Sequence, residues 1–254
     1  MLPVLQGTIV RRVLMNFRAD PVIARRLVPK PFEIVTQNGS AVVGVCLIRL
    51  EHLRPKGLPA SVGLSSENMA HRIAVRFPSA TGWRPGVFIW RRETNQRLTA
   101  LLGGRLFPGV HGHARFHALE SEEELSLEVF TKRKEADVTF RGSRVSKWKQ
   151  TGLFDTLATV SAFFAQGDCG FSRSRHGTYE GMRLRMLEWR MTPLEVREAR
   201  SNFFEDEKNF PPGSVKFDGA VLMAGIPHEW VELPNLAVLD RPAGIGLKME
   251  VGNA

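Results

Sequence analysis

The chain has two cysteines in 254 residues, Cys46 and Cys169, far apart and neither in a C-x-x-C pair. That excludes a disulfide framework and a sulfur-based metal site, and leaves both thiols as expected small buried hydrophobes. No run of eighteen apolar residues occurs, which argues against a membrane-spanning helix. The opening stretch MLPVLQGTIVRR carries its positive charge after a very short apolar segment, whereas a signal peptide carries it before a longer one. A soluble, cytoplasmic protein without a membrane partner is therefore expected. Also missing are a Walker loop, G-x-G-x-x-G after a strand, G-x-S-x-G and H-E-x-x-H. Their absence removes the commonest nucleotide, hydrolase and zinc-protease chemistries. No repeat, low-complexity tract or compositional break marks a linker. With 43% hydrophobic residues, a chain of this length buries roughly 70–75% of its unfolded surface, and a single domain over residues 1–254 is expected.

What is present in excess is positive charge, +9 at pH 7. Its densest segment, KRKEADVTFRGSRVSKWK (Lys132 to Lys149), sets seven basic residues against two acidic ones. Clustered Lys and Arg release counterions from phosphate, the physical basis of a nucleic-acid reading. No helix-turn-helix, zinc-finger or RNP-type motif accompanies the cluster, so it reads as a charged hairpin edge and solvated loop. No nucleic-acid partner is expected.

The hydrophobic pattern is mostly of period two. Thr8 to Phe17 reads as a strand, and Asp20-Pro21 as the cap and first turn of a short helix, PVIARRLVP. In EIVTQNGSAVVGVCLIRL, Asn38-Gly39 offers the positive φ angles of a tight hairpin. HRIAVRF and GVFIWRR read as strands around the turn PSATGWRPG, and Thr94 as the cap of a helix, NQRLTALLGG. ARFHAL, LSLEVFTKR and VTFRGSRV add strands. TGLFDTLATVSAFFAQG reads as the one long helix, with Leu157, Val160, Phe163 and Phe164 on its apolar face. MRLRMLEWRM, LEVREARSNFF and AVLMAGIPHEWVEL are strand-like. Few helices amid about ten strands, without βαβ alternation, predict an α+β fold of predominantly antiparallel sheet.

Three groups of residues could carry chemistry. In GGRLFPGVHGHARFH, a strand starting at His111 would place His111, His113, Arg115 and His117 on one face. Such imidazoles can line a pocket as general acids or bases. No cofactor is expected; a metal, if held, would use His111, His113 and His117, with Glu67 or Glu93 as a carboxylate ligand. In SSENMAHRIAVRF, Glu67, His71 and Arg72 sit where a loop is expected to enter a strand, facing a pocket. In IWRRET, Arg91 and Arg92 beside a helix start form a candidate carboxylate or phosphate clamp. Ordinary salt bridges and caps are the first reading of these last two groups.

SSENMAHRIAVRF, GVFIWRRETNQRLTALLGGRLFPGVHGHARF, SAFFAQGDCGFS, YEGMRLRMLEWRMTPLEVREARSNFF and FPPGSVKFDGAVLMAGIPHEW resemble, in that order, the bacterial YqjF-like proteins, a domain family of unknown function. That family is grouped with the acetoacetate decarboxylase-like fold, so the resemblance implies a β-rich cone or barrel around an internal cavity. The parent enzyme works through a Schiff-base lysine whose pKa is depressed by a neighbouring lysine. Its arginine-led loop is similar to GRLFPGVHGHA, matching Arg105 and Gly109, which puts the lysine pair at Gly112 and His113. Neither is lysine, and no residue from Gly103 to Thr131 is.

The expectation is therefore a small-molecule binding protein without Schiff-base chemistry. Its cavity would take an oxo- or carboxylate-bearing ligand held by Glu67, Arg72, Arg91, Arg92 and Arg105. The alternative is an enzyme of lyase or hydrolase type using His111 and His113 as general acid/base or metal ligands. Since the parent enzyme assembles into oligomers, a homo-oligomer is also allowed.

Overall fold

In the computed structural model, which describes residues 3–96 and 109–237, strands dominate. In chain order they are β1 (Leu5–Ala19), β2 (Glu33–Ile34), β3 (Thr36–Gln37), β4 (Ser40–Pro55), β5 (Leu64–Ser79), β6 (Gly82–Thr94), β7 (His111–Glu120), β8 (Glu124–Thr131), β9 (Val138–Arg144), β10 (Cys169–Arg173), β11 (Thr178–Met186), β12 (Thr192–Ser201) and β13 (Val215–Ala237). Three short helices interrupt them: α1 (Pro21–Arg26), α2 (Leu157–Gln166) and α3 (Asn202–Glu205). None of the described helices is long and apolar enough to cross a membrane.

All thirteen strands belong to one sheet, running β11-β10-β6-β7-β8-β9-β12-β13-β1-β4-β5-β2, with β3 on β4 and further pairings of β11 with β13 and β5 with β6. Those further pairings close the sheet twice. One circuit runs β13-β1-β4-β5-β6-β10-β11 and back to β13; the other returns from β6 through β7, β8, β9 and β12. Pairing is antiparallel except for β10 on β6 and β6 on β7. The strand β13 makes this possible by its length: Ala220 to Leu222 meet β12, and His228 to Ala237 meet β11.

Because β4 separates the two circuits, both its faces are covered, which explains its unbroken apolar run. Val43, Val45 and Leu47 pack with β8 and β9 residues such as Leu127 and Phe140. Val42, Cys46, Ile48 and Leu50 face the other way, toward Val160 and Phe164 of α2. Gly44 lies in this two-sided strand, opposite Asn16 of β1 and Arg72 of β5. A Cβ there would overlap the carbonyl oxygen of Met15 and stand 3.5 Å from Arg72 Nη2. Gly44→Ala is accordingly expected to lower the free energy of urea unfolding by about 3 kcal/mol, the upper part of the range for overpacked cores. A loss well under about 1 kcal/mol would mean that β1 and β4 separate freely at this point.

Several expectations hold at residue level. Asp20 Oδ1 accepts from Val22 N at 2.7 Å and caps α1, and Asn38 and Gly39 turn with φ of 47° and 76°. Others are corrected. SSENMA lies within β5 rather than in a loop, and the turn to β6 is only Ala80 and Thr81, because Pro78 and Pro85 are accommodated in the strands. The long helix begins at Leu157, not Thr151, because Thr156 and Thr159 form a reciprocal capping box that fixes its start. Asn202, Phe203 and Phe204 are helical rather than extended. The basic segment is not a sheet edge: its strand β9 lies between β8 and β12, and Arg141 pairs with Glu128 and Glu198 across that surface. The helix expected over NQRLTALLGG lies largely outside the described residues.

Candidate functional site

The seven-strand circuit encloses a cavity of about 120 Å³. Its wall is built from alternate positions of adjacent strands, which register places in rows. Leu14, Cys46, Ala70 and Arg92 form one row across β1, β4, β5 and β6. Asn16, Gly44, Arg72 and Ile89 form the next, and Arg12, Ile48 and Asn68 the one on the other side. Arg72 and Arg92 share a face despite their odd offset because Trp90 is an extra residue in β6, between the pairs His71–Arg91 and Arg72–Ile89. Phe164, Gly167 and Asp168 at the end of α2 close one side, and Trp230 of β13 another.

Three guanidinium groups line this cavity: Arg12, Arg72 and Arg92. Arg72 is 3% exposed, donates from Nη2 to Asn16 Oδ1 at 2.9 Å, and lies with Cζ 4.8 Å from the centre of the Phe164 ring. Its Nε and Nη1 are buried without a hydrogen-bond partner. Arg92 donates from Nε to Ser172 Oγ at 2.7 Å. Arg12 reaches only the sulfurs of Met186 and Met223, at 3.8 Å, and its Nε has no partner. Burial lowers Arg72 and Arg92 to about 10, so both stay charged at neutral pH. The two carboxylates in the wall are occupied elsewhere: Asp168 with Arg183, Glu93 with Arg91. Among the described residues, none of the three arginines forms an ion pair with a carboxylate, although the Glu180 charge acts on Arg92. A buried cation without a counter-ion is costly, and what relieves it is an anion.

His111 joins this wall at the start of β7, next to Arg92 in the parallel pairing of β6 and β7. Burial, reinforced by the Arg92 charge, lowers it to about 3, which keeps its imidazole neutral. Its Nδ1 lies 3.3 Å from Gly109 O. Gly109 itself is anchored, its N–H donating to Glu180 Oε2 at 2.7 Å.

The other expected site residues separate from this group. The β7 strand does start at His111, but His113 and His117 are exposed, and the His117 ring meets Phe130 at 5.5 Å. The row of histidines leaves the cavity after its first member, since the strand passes from one circuit to the wall of the other. No group of three or more His, Cys, Asp or Glu that could hold a metal occurs among the described residues. Glu67 pairs with Arg11, which also pairs with Glu120, away from the main cavity. His71 is fully buried against Phe203 and Phe204 and shares a 2.8 Å hydrogen bond with Ser201 Oγ. Arg91 is held between Glu93 and Glu135. Arg105 lies outside the described residues. Gly112, matched above to one lysine of the parent enzyme, faces the Glu93 carboxylate, which a Cβ at this position would displace.

Sequence reasoning missed Arg12, Cys46 and Trp230. Pattern does not single out Arg12: it stands two residues from buried Leu14, but Arg11 and Val13 on the other face of β1 are buried as well. Trp230 Nε1 is buried without a partner and was not legible from pattern.

Comparisons with known proteins agree with this architecture. A crystal structure of acetoacetate decarboxylase from Legionella pneumophila superposes with a TM-score of 0.58 at 12% identity, over 91% of this chain and 87% of that one. The enduracididine biosynthesis enzyme MppR gives 0.55 at 12% identity, over 94% and 90%. An acetoacetate decarboxylase-like enzyme from Sphingomonas wittichii gives 0.54 at 11% identity, over 91% and 93%. At such identities the likeness shows a shared fold, the acetoacetate decarboxylase-like one. No curated protein matches the chain in sequence. A family model covers residues 8–221, and on that match the chain belongs to the DUF2071 family of uncharacterized conserved proteins.

Proposed function

We propose that the chain binds a small oxo- or carboxylate-bearing molecule in this cavity and does so without a Schiff-base lysine. The observation that carries the reading is the set of guanidinium groups of Arg12, Arg72 and Arg92 in one apolar enclosure without a carboxylate ion pair. A carboxylate would accept from these forks and supply the missing charge. No lysine lines the cavity among the described residues. A structure of the fold relative MppR is described as complexed with pyruvate, at a TM-score of 0.52, which makes pyruvate a sensible first probe.

The test compares acids with their neutral amides. Pyruvate should raise the thermal unfolding midpoint and pyruvamide should not; equal effects, or none from either, would remove the carboxylate site. A covalent probe reports where the anion goes. The Cys46 thiol lines the cavity within electrostatic reach of Arg72 and Arg92. Cys169 lines the same cavity, and its thiol is pushed up to about 12 by burial and by Asp168. Cys46 is therefore expected to be alkylated by iodoacetate in preference to uncharged iodoacetamide, with protection by pyruvate. The opposite order of rates at Cys46 would contradict a cationic cavity.

A second reading, catalysis, rests on His111 in the same wall. With its pKa lowered to about 3 it is neutral at neutral pH and serves as a hydrogen-bond acceptor that orients a bound acid, not as a proton donor. His111→Ala would then abolish turnover of a bound acid while leaving its affinity in place, whereas exposed His113→Ala would change neither.

A further inference from the structure

The carboxylate reading leaves a charge imbalance. Glu180 acts on Arg92, and one bound carboxylate offsets one of Arg12 and Arg72; the other would remain buried without counter-charge, an unfavourable arrangement in a low-dielectric enclosure. We infer that the ligand is a short dianion with its two acidic groups at separate ends, of the dicarboxylic acid class. This rests on the reading that the cavity binds carboxylates.

The placement of the arginines supports two ends. Arg72 and Arg92 stand on adjacent strands, two residues apart in register, since Arg92 is opposite Ala70. Arg12 comes from β1, two strands from β5 and opposite the row of Asn68, four residues from Arg72. With strands about 4.8 Å apart and a rise of about 3.3 Å per residue, the Arg12 and Arg72 backbones lie on the order of 15 Å apart. Their side chains extend inward from those positions and come within electrostatic reach of each other. Arg72 and Arg92 thus enter from neighbouring strands and Arg12 from the far side of β4, so guanidinium groups reach the ligand from separate positions in the wall. The unpartnered atoms agree with this division: Nε and Nη1 on Arg72, and Nε on Arg12. The size of the cavity, about 120 Å³, limits the spacer to a few carbons.

A phosphoryl group is the other common dianion, and the surroundings disfavour it. Tight phosphate sites gather backbone N–H groups at a helix N-terminus or a glycine-rich nest. Here α2 presents its C-terminal end, through Gly167 and Asp168, where the helix dipole is negative.

Calorimetry on the full chain with matched pairs tests this: succinate against butyrate, glutarate against valerate, and inorganic phosphate. One of the diacids should bind at least roughly tenfold more tightly than the monoacid of equal length. In Arg12→Met the diacid should lose more affinity than the monoacid, so that the preference falls toward unity. Equal affinities within both pairs would overturn the inference and leave the carboxylate reading standing. Phosphate binding tighter than either diacid would replace it with a phosphoryl ligand. No binding of any acid would remove both. Should Arg12→Met fold poorly, the wild-type ratio of diacid to monoacid affinity decides alone.

Discussion

Replacing Arg72 by methionine is expected to make the ligand-free protein more stable and its carboxylate binding much weaker. In the empty cavity the Arg72 guanidinium is buried, charged and short of two hydrogen-bond partners. Replacing buried ionic groups by apolar ones of similar volume is commonly neutral or stabilising by about 1–4 kcal/mol. Methionine fills similar space, and its sulfur suits the Phe164 ring that now faces the guanidinium. The loss of the Asn16 contact at 2.9 Å works against this by about 1 kcal/mol. With an anion bound, the same arginine holds a desolvated charge pair, and truncating one partner costs about 2–5 kcal/mol, or roughly 30-fold to several thousand-fold in affinity. Urea unfolding without ligand and calorimetry with pyruvate would read the two effects separately. A variant destabilised in the absence of ligand but unchanged in binding would show that Arg72 is structural and the anion site lies elsewhere.

Such opposed effects are expected of residues kept for function rather than stability, and they bear on how much of the site was legible in the sequence. The strand content, the Asn38-Gly39 hairpin and the capped helix α1 followed from local chemistry, because turn and cap residues act within a few positions of the chain. The family resemblance supplied the enclosing architecture, which local pattern does not encode. Register decided the rest. In β5, Arg72 faces the cavity while His71, one residue earlier, faces an aromatic cluster. In β6, the extra residue Trp90 turns Arg92 inward and leaves Arg91 to Glu93 and Glu135. A one-residue offset reverses which face a side chain occupies, so Arg91 and Glu67 were grouped with a cavity they do not line, whereas His113 keeps the parity of His111 and drops out because β7 leaves that circuit. Arg12 and Cys46 belong to it through strands that are distant in sequence, β1 and β4, and only the closed circuit brings them together.

Acid should unfold this protein sooner than its basic composition suggests, because three buried histidines are held neutral. His71 and His111 are lowered to about 3 and His228 to about 4, in each case first by burial and then by a nearby arginine. An unfolded histidine titrates near 6.5. Above that pH both states are neutral at these positions and the histidines add nothing to the pH dependence. Below it the unfolded chain binds three protons that the folded one does not, so stability falls with falling pH. Each such histidine contributes about 1.4 kcal/mol per pH unit, and the three together roughly 4 kcal/mol per unit between about pH 6 and pH 4. Against a total of about 5–15 kcal/mol for a typical domain, that is enough to unfold the chain within this window. Glu67 and Glu93 act in the opposite sense, since burial raises them and the folded state takes up protons there above the usual carboxylate range. Two carboxyls against three imidazoles reduce the slope without reversing it. His71 gives the cleanest control, because it lies outside the cavity and its only hydrogen bond goes to Ser201. His71→Gln keeps a neutral polar group in that place and should reduce the fall in urea-unfolding free energy between pH 6 and pH 4 by about 1.4 kcal/mol per pH unit, with ligand affinity unchanged. An unaltered slope would mean that His71 takes up its proton without unfolding the protein, and that the aromatic pocket around it opens to water in acid.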